Sequence, residues 1–289
     1  MKTRITKTLT LIEFLTEQYP DSPRTRIKKL LKNGAISVND KPVSLHSFLL
    51  RPGDKIEIKR QAWTAVRSGF TFPVLYEDDQ VMVIDKPPGR PTSSTDGSLS
   101  IHKIISESLE NMTRKSSGIY FVHRLDKEVS GVLLFAKTRK AMETIKDRWK
   151  ETGKHYYAFV EGIPEKSEDT IKSWIAEGRY QKVHSAGKGD NARYAVTHYR
   201  VIRTIKGNAL LDIQTETGQK NQIRVHLSDI GCPIIGDWKY GASDKFSRRI
   251  RLHAYSLSFP HPGDGRLITV TSPMPKGFLV LKNKEERYK

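Results

Sequence analysis

The 289-residue sequence predicts an α+β protein, with a small helix-then-strand unit at the N-terminus and a larger, strand-rich unit after it. Three observations predict this. Residues 10–32 hold two short apolar patterns at helical spacing, and residues 35–58 then switch to short alternating runs. From residue 73 onward, apolar runs of strand length alternate with turns. Few long helical patterns follow residue 118, and 37% hydrophobic against 28% charged residues is enough to bury a core.

The elements follow in order. Leu11, Ile12, Phe14 and Leu15 place a first helix over 10–18. Pro20-Asp21-Ser22-Pro23 breaks it, and Ser22 caps a second helix over 24–32 with Pro23 in its first turn. That helix puts Ile27, Leu30 and Leu31 on one face and Arg24, Arg26, Lys28, Lys29 and Lys32 elsewhere, and Asn33-Gly34 ends it. Short strands follow at 35–39, at 42–43 after a turn at Asp40-Lys41, and at 55–58 after Arg51-Pro52-Gly53-Asp54. Residues 61–70 show no period and read as a linker, with Trp63 a candidate to dock. Val74-Leu75-Tyr76 and Val81-Met82-Val83-Ile84-Asp85 then read as a strand leading into a buried strand, stopped by Lys86-Pro87-Pro88-Gly89. A polar loop covers 90–97. A helix is expected over 98–109, with Leu99, Ile101, Ile104, Ile105 and Leu109 apolar. No repeat of 20–50 residues and no low-complexity block occurs.

Composition narrows the function. No apolar run approaches the roughly 18–20 residues that span a bilayer, so no membrane partner is expected. Met1-Lys2-Thr3-Arg4 is basic but leads into no apolar stretch with a cleavage site, so it does not read as a signal peptide. Without a signal, the sequon Asn111-Met112-Thr113 reads as chance. Cys232 is the one cysteine, which excludes intramolecular disulfides and zinc clusters built on several cysteines. A reducing, cytoplasmic setting is the simplest expectation. Fifty Lys and Arg against 32 Asp and Glu give a net charge of +18, and the first 60 residues alone carry 13 against 6. Such an excess attracts polyanions, nucleic acid first among them. The alternative is a merely basic, solvated surface. Charge does not separate DNA from RNA, or binding from chemistry. No phosphate-binding G-x-x-x-x-G-K-[ST] loop, H-x-E with P-C-x-x-C, or H-E-x-x-H pattern occurs.

The stretch Phe121-Val122-His123-Arg124-Leu125-Asp126-Lys127-Glu128-Val129-Ser130-Gly131-Val132-Leu133-Leu134-Phe135-Ala136-Lys137 brings His, Arg and Asp together where a strand ends and another opens. Loops at sheet edges are where function concentrates. The plainer alternatives are a turn aspartate at Asp126 and a surface ion pair at Arg124.

H-R-L-D-x-x-x-S-G-x-L-L-x-A-K, from His123 to Lys137, resembles the signature of the RluA-type RNA pseudouridine synthases. Further motifs resemble that family in order: Val83-Ile84-Asp85-Lys86-Pro87-Pro88-Gly89, the strand Lys154 to Gly162, and Thr215 to His226. Gly231 to Gly241 with its Gly236-Asp237, and a last strand from Leu252-His253-Ala254 to Phe259, complete the set. The N-terminal residues Arg24 to Lys32, Gly34, Val38-Asn39 to Val43 and Gly53-Asp54 resemble the small RNA-binding domain named after ribosomal protein S-four. The resemblances imply an S-four-type domain over 1–60, a linker over 61–72, a pseudouridine synthase domain over 73–281 and a basic tail over 282–289. They imply a mixed, mostly antiparallel sheet crossed by the active cleft.

The implied reaction turns uridine in RNA into pseudouridine: the bond from ribose C1′ to the base breaks, the base turns over, and its C5 rejoins the sugar. Neither cofactor nor metal is implied. By resemblance the catalytic residues are Asp126, Tyr156 and Arg224. A carboxylate can attack or stabilise a cationic sugar carbon, or draw a proton from the sugar. A cation at Arg224 keeps it ionised and oriented. The Tyr156 ring can stack on an extruded uracil, and its hydroxyl is a candidate for handling the C5 proton. Tyr157 faces the other way, into packing. Ile223 and Leu252, taken as strand residues, wall the base. Arg124 holds the RNA open or meets a phosphate. His123 is a second candidate there, with a structural role equally open. Arg24, Arg26, Lys28 and Lys29 lie along RNA phosphates.

The chain departs from the family pattern at Val129, where Thr is usual, and at Gln219-Lys220-Asn221, where Arg-x-His is usual. Lys220 is expected to supply the missing charge toward substrate. The favoured substrate is 23S large-subunit ribosomal RNA and the alternative is transfer RNA; a monomer is expected. Two competing readings are a non-catalytic RNA-binding or ribosome-assembly protein and a nucleic-acid glycosylase. The first has no chemical need for Asp126, Tyr156 and Arg224 together, and the second requires an activated water.

Overall fold

The structure, a computed structural model, describes residues 2–19, 36–39, 41–43, 45–58, 72–94, 97–113, 118–178, 182–189, 191–243 and 249–281. The expected second helix, with Arg24, Arg26, Lys28 and Lys29, lies outside these residues, as do Trp63 and the basic tail.

In the N-terminal part, β1 (Lys2–Arg4), β6 (Lys55–Ile58), β3 (Ile36–Val38) and β4 (Lys41–Pro42) form an antiparallel sheet in that order, and β2 (Leu9–Thr10) pairs with β5 (Leu49–Leu50). Helix α1 (Leu11–Gln18) starts where it does because Thr10 and Glu13 form a capping box. Its apolar side chains Leu11, Phe14 and Leu15 pack with Ile36, Val38, Ile56 and Ile58 in a core of their own.

The larger part is one mixed sheet with eleven described strands. Its path runs β13 (Val183–Ala186), β12 (Glu168–Glu177), β14 (Ala192–Ile205), β15 (Asn208–Thr215), β11 (Gly153–Val160), β16 (Leu252–Pro260), β10 (Ser130–Ala136), β8 (Val81–Lys86) and β7 (Val74–Glu77). Beside this path, β9 (Tyr120–Phe121) pairs with β10 and β17 (Leu267–Thr271) with β16. Every described pairing is antiparallel except β10–β16, which runs parallel in mid-sheet. Gly131 makes that junction possible: its φ is +118°, and a Cβ there would run into the backbone of Ala254. Alternation divides the sheet's residues between two cores. Val74, Met82, Ile84, Leu133 and Phe135 enter one, and Leu75, Val81, Val83, Val132 and Leu134 the other. Strand β10 is buried along its whole length, as a strand covered on both faces must be.

Three described helices cover the sheet: α2 (Ile101–Thr113), α3 (Arg139–Asp147) and α4 (Gln222–Asp229). Four sequence expectations are corrected here. The helix expected from residue 98 begins at Ile101, because Ser100 Oγ accepts the Lys103 N–H and acts as the cap; Leu99 is left outside, 47% exposed. Phe72, assigned to the linker, is buried in the core of the large sheet. The strand from Leu252 is not the last, since a turn over 262–264 returns the chain into β17. Ile223, taken as a strand residue, lies on a helix, together with Arg224. The β-branched, alternating run Gln222-Ile223-Arg224-Val225-His226 mimics a strand, but residues 222–227 are all buried, and packing on every side overrides local preference. The polar members are satisfied: Gln222 Nε2 donates to Val196 O and Thr197 Oγ1, and His226 bonds Thr197 Oγ1 and Ser173 Oγ. No described helix is long and apolar enough to cross a membrane.

Candidate active site

The loop between β9 and β10 carries His123, Arg124 and Asp126, and its backbone is pinned along its length. Thr92 Oγ1 donates to Leu125 O at 2.9 Å and accepts the Leu125 N–H at 3.1 Å. Lys127 O accepts the Gly89 N–H at 2.7 Å and Lys86 Nζ at 3.2 Å. The Val129 N–H closes back on Asp126 O at 3.2 Å. Asp126 is therefore presented by a fixed loop, with its side chain 28% exposed.

Arg224 reaches it from α4. Its Nη1 lies 3.3 Å from Asp126 Oδ2 and 3.6 Å from Glu128 Oε2. The same guanidinium is gripped from behind by Asp237, with Nε–Oδ2 at 2.7 Å and Nη2–Oδ1 at 2.8 Å, a bidentate fork. Asn221 Oδ1 accepts Nη1 at 3.1 Å, and the Tyr240 ring lies 4.9 Å below the guanidinium. Asn221 sits at φ +55° at the start of α4, a conformation Asn tolerates better than most residues, and its Nδ2 donates to the Tyr240 hydroxyl. Burial works against the Arg224 charge, but Asp237, Asp126 and Glu128 outweigh it and hold the guanidinium charged. Burial raises the Asp126 carboxyl, and Arg224 opposes that rise. The result is a carboxylate of raised basicity with one guanidinium edge beside it.

Tyr156 projects from β11 into the same space. Burial and then the Asp126 charge push its phenol up, so it enters as the neutral acid. Tyr157 lies on the opposite face and stacks on Tyr255 at 4.0 Å, as its packing role requires. Lys86 is fully buried and donates to Pro87 O, Arg90 O and Lys127 O, using all three of its protons to tie two loops together. Burial lowers it to about 8, and the charges of Asp126 and Glu128 act in the other direction.

Asp126, Tyr156, Asn221 and Arg224 line a cavity of about 420 Å³, together with His123, Arg124, Ile223 and Leu252. That volume falls in the roughly 300–1,000 Å³ range of ligand clefts. Ile223 and Leu252 are buried and form apolar wall, while Arg124 is exposed. His123 has a structural bond: its Nε2 accepts the Leu134 N–H at 3.1 Å, so the ring is neutral with its proton on Nδ1. Burial, then the Lys154 charge, lower it to about 3. Lys220 is directed elsewhere, in an ion pair with Glu177 at 2.6 Å. The sequence alone does not single out Asp237, Lys86, Lys154 or Trp149 as site residues. Asp237 lies inside the recognised Gly236-Asp237 motif and Lys86 inside Asp85-Lys86-Pro87, so their positions carried a signal; their partners did not.

Known proteins match this chain as follows. The family model for RNA pseudouridylate synthase matches residues 80–229, and that for the S4 domain residues 10–56. An uncharacterized RNA pseudouridine synthase of Synechocystis is 30% identical over 286 residues, spanning 93% of this chain and 86% of the relative. A ribosomal large subunit pseudouridine synthase C of Buchnera aphidicola is 30% identical over 93% of this chain and 92% of its own. Among solved structures, human RNA Pseudouridylate Synthase Domain Containing 4 superposes with a TM-score of 0.60 at 26% identity, covering 71% of this chain and 89% of that one.

Proposed function

This chain belongs to the RNA pseudouridylate synthase family, and from that premise we propose that it isomerises uridines of 23S ribosomal RNA with Asp126, Arg224 and Tyr156 as its catalytic set. The observation that carries the reading is the meeting of these three side chains on one cavity, with the guanidinium held 3.3 Å from the carboxylate.

Asp126 engages the ribose as the bond from C1′ to the base breaks. Arg224 keeps the carboxylate ionised and aimed, because Asp237 leaves the guanidinium a single orientation. Tyr156 supplies a ring for the uracil and a phenol donor beside it while the base turns over. Ile223 and Leu252 exclude water around the base. The C5 proton is lost and the former glycosidic nitrogen gains one, so the reaction is an isomerisation. A stacked uridine must be extruded first, and the exposed Arg124 at the cavity is placed to meet the strand it leaves.

The large-subunit target is supported by relatives from Rickettsia typhi, Buchnera aphidicola and Neisseria meningitidis, which are named ribosomal large subunit pseudouridine synthases C, C and D. In our reading residues 1–60 anchor the RNA, 61–72 link, with Phe72 at the end of the linker docked in the core of the large sheet, 73–281 catalyse and 282–289 add basic charge, in a monomer acting in the cytoplasm.

The test is pseudouridine mapping by carbodiimide-adduct primer extension on ribosomal and transfer RNA from cells with and without the gene, rescued by wild type or by Asp126→Asn. A site in 23S RNA that vanishes on deletion and returns with wild type alone is the expected result. A site confined to transfer RNA would overturn the target, and equal rescue by Asp126→Asn would overturn the catalytic carboxylate.

A further inference from the structure

We propose that Lys154 is an anion-recognition residue that takes a phosphate oxygen of the RNA strand entering the cavity, an inference that rests on the reading of this cavity as the uridine site. Lys154 stands two residues before Tyr156 on β11, so both side chains leave the same sheet face, and both line the cavity. It is only 7% exposed. Its Nζ donates to Glu216 O at 3.3 Å and lies 5.7 Å from the centre of the Trp149 ring. Among the described residues no carboxylate stands within ion-pair distance of it.

The other two buried cations of the site differ. Lys86 spends its three protons on three carbonyls, and Arg224 is gripped by Asp237. Lys154 has three donors and one long bond. A buried ammonium without counter-charge is costly in the free protein, and burial lowers its proton affinity accordingly. That cost is offset when a ligand brings the charge. In RNA the anion is the phosphodiester, whereas the uracil carbonyls are neutral.

The mounting is rigid, and the way in is basic. Trp149 packs on His123 at 5.2 Å, and His123 is itself bonded to Leu134. The exposed Arg124 and Lys146 line the same cavity, so a strand entering it meets positive charge before it meets Lys154.

The experiment compares the full-length wild type, Lys154→Met and Lys154→Arg. Met keeps most of the length and removes the charge. Without RNA, Lys154→Met should melt at or above the wild-type temperature, because an uncompensated buried charge is gone. On unmodified transcripts of large-subunit ribosomal RNA, and in parallel of transfer RNA, its Kd should weaken on the order of tenfold at low salt. Its slope of log Kd against log salt should be shallower by roughly 0.7, one phosphate contact on a single strand. Lys154→Arg should keep the wild-type slope. A lowered melting temperature with an unchanged slope would overturn the proposal and make Lys154 a strut for Trp149. Asp126→Asn is assayed alongside for pseudouridine formation; if it still turns over, the uridine-site reading falls, and the Lys154→Met slope still reports on the phosphate contact.

Discussion

At the scale of single residues, the site turns on how one guanidinium is shared between carboxylates. Asp237 is 1% exposed and takes Arg224 by two short bonds, while Asp126 receives one longer one. Asp237 therefore does two things at once. It fixes Arg224, and its own negative charge raises the Asp126 carboxyl. Asp237→Asn should lower turnover by at least about tenfold, because the arginine loses a bidentate anchor, and breaking a buried pair costs about 3–5 kcal/mol of stability. It should also move the acid limb of the pH–rate profile downward, since a negative neighbour of Asp126 is gone. An upward shift would mean that Arg224 had left Asp126 and that the orienting role belonged elsewhere.

At the scale of elements, strand β16 spaces the proposed catalytic groups. Asp126 hangs from the start of β10, Tyr156 lies on β11, and β16 pairs with both, in parallel to β10 and antiparallel to β11. On this path Gly131 pairs with Ala254, whose backbone leaves no room for a Cβ there, and Tyr156 pairs with that same Ala254. Gly131→Ala should push β10 from β16 and move Asp126 away from Tyr156. The positive φ costs about 1–2 kcal/mol and the overpacking about 1–3 kcal/mol more. Urea unfolding should show a lowered midpoint, and turnover should fall further than the unfolded fraction explains. Turnover that simply tracks the folded fraction would count against β16 as the spacer.

At the scale of the whole molecule, the +18 charge predicts how the enzyme holds RNA. Arg24, Arg26, Lys28 and Lys29 belong to a 60-residue stretch of net charge +7. Replacing these four by Gln in the full chain should raise the Kd for ribosomal RNA. It should also reduce the salt slope by roughly 0.7–0.9 for each phosphate that these side chains no longer neutralise. A slope equal to wild type would place the RNA-gripping surface elsewhere on the chain.

The sequence by itself determined the parts whose cause is local or compositional. The capping box of Thr10 and Glu13, the alternation that splits Val81 to Ile84 between two cores, and the charge excess are all written in neighbouring residues. So was the proposed catalytic loop, because His123-Arg124-Leu125-Asp126 with the later motifs carries the resemblance to a family. Tertiary structure alone decided what depends on residues far apart in the chain. Ile223 reads as a strand residue until packing on every side of residues 222–227 makes the segment a helix. Lys220 reads as a substrate contact, and only the fold brings Glu177, 43 positions away, to within 2.6 Å of it. His123 reads equally as a substrate contact and as a structural residue, and only the fold brings the Leu134 amide to its Nε2. Lys86 and Asp237 sit inside recognisable motifs, yet their partners come from other loops and helices. A period of two or of 3.6 is a property of a short segment, whereas a buried charge is defined by whatever the rest of the fold brings against it.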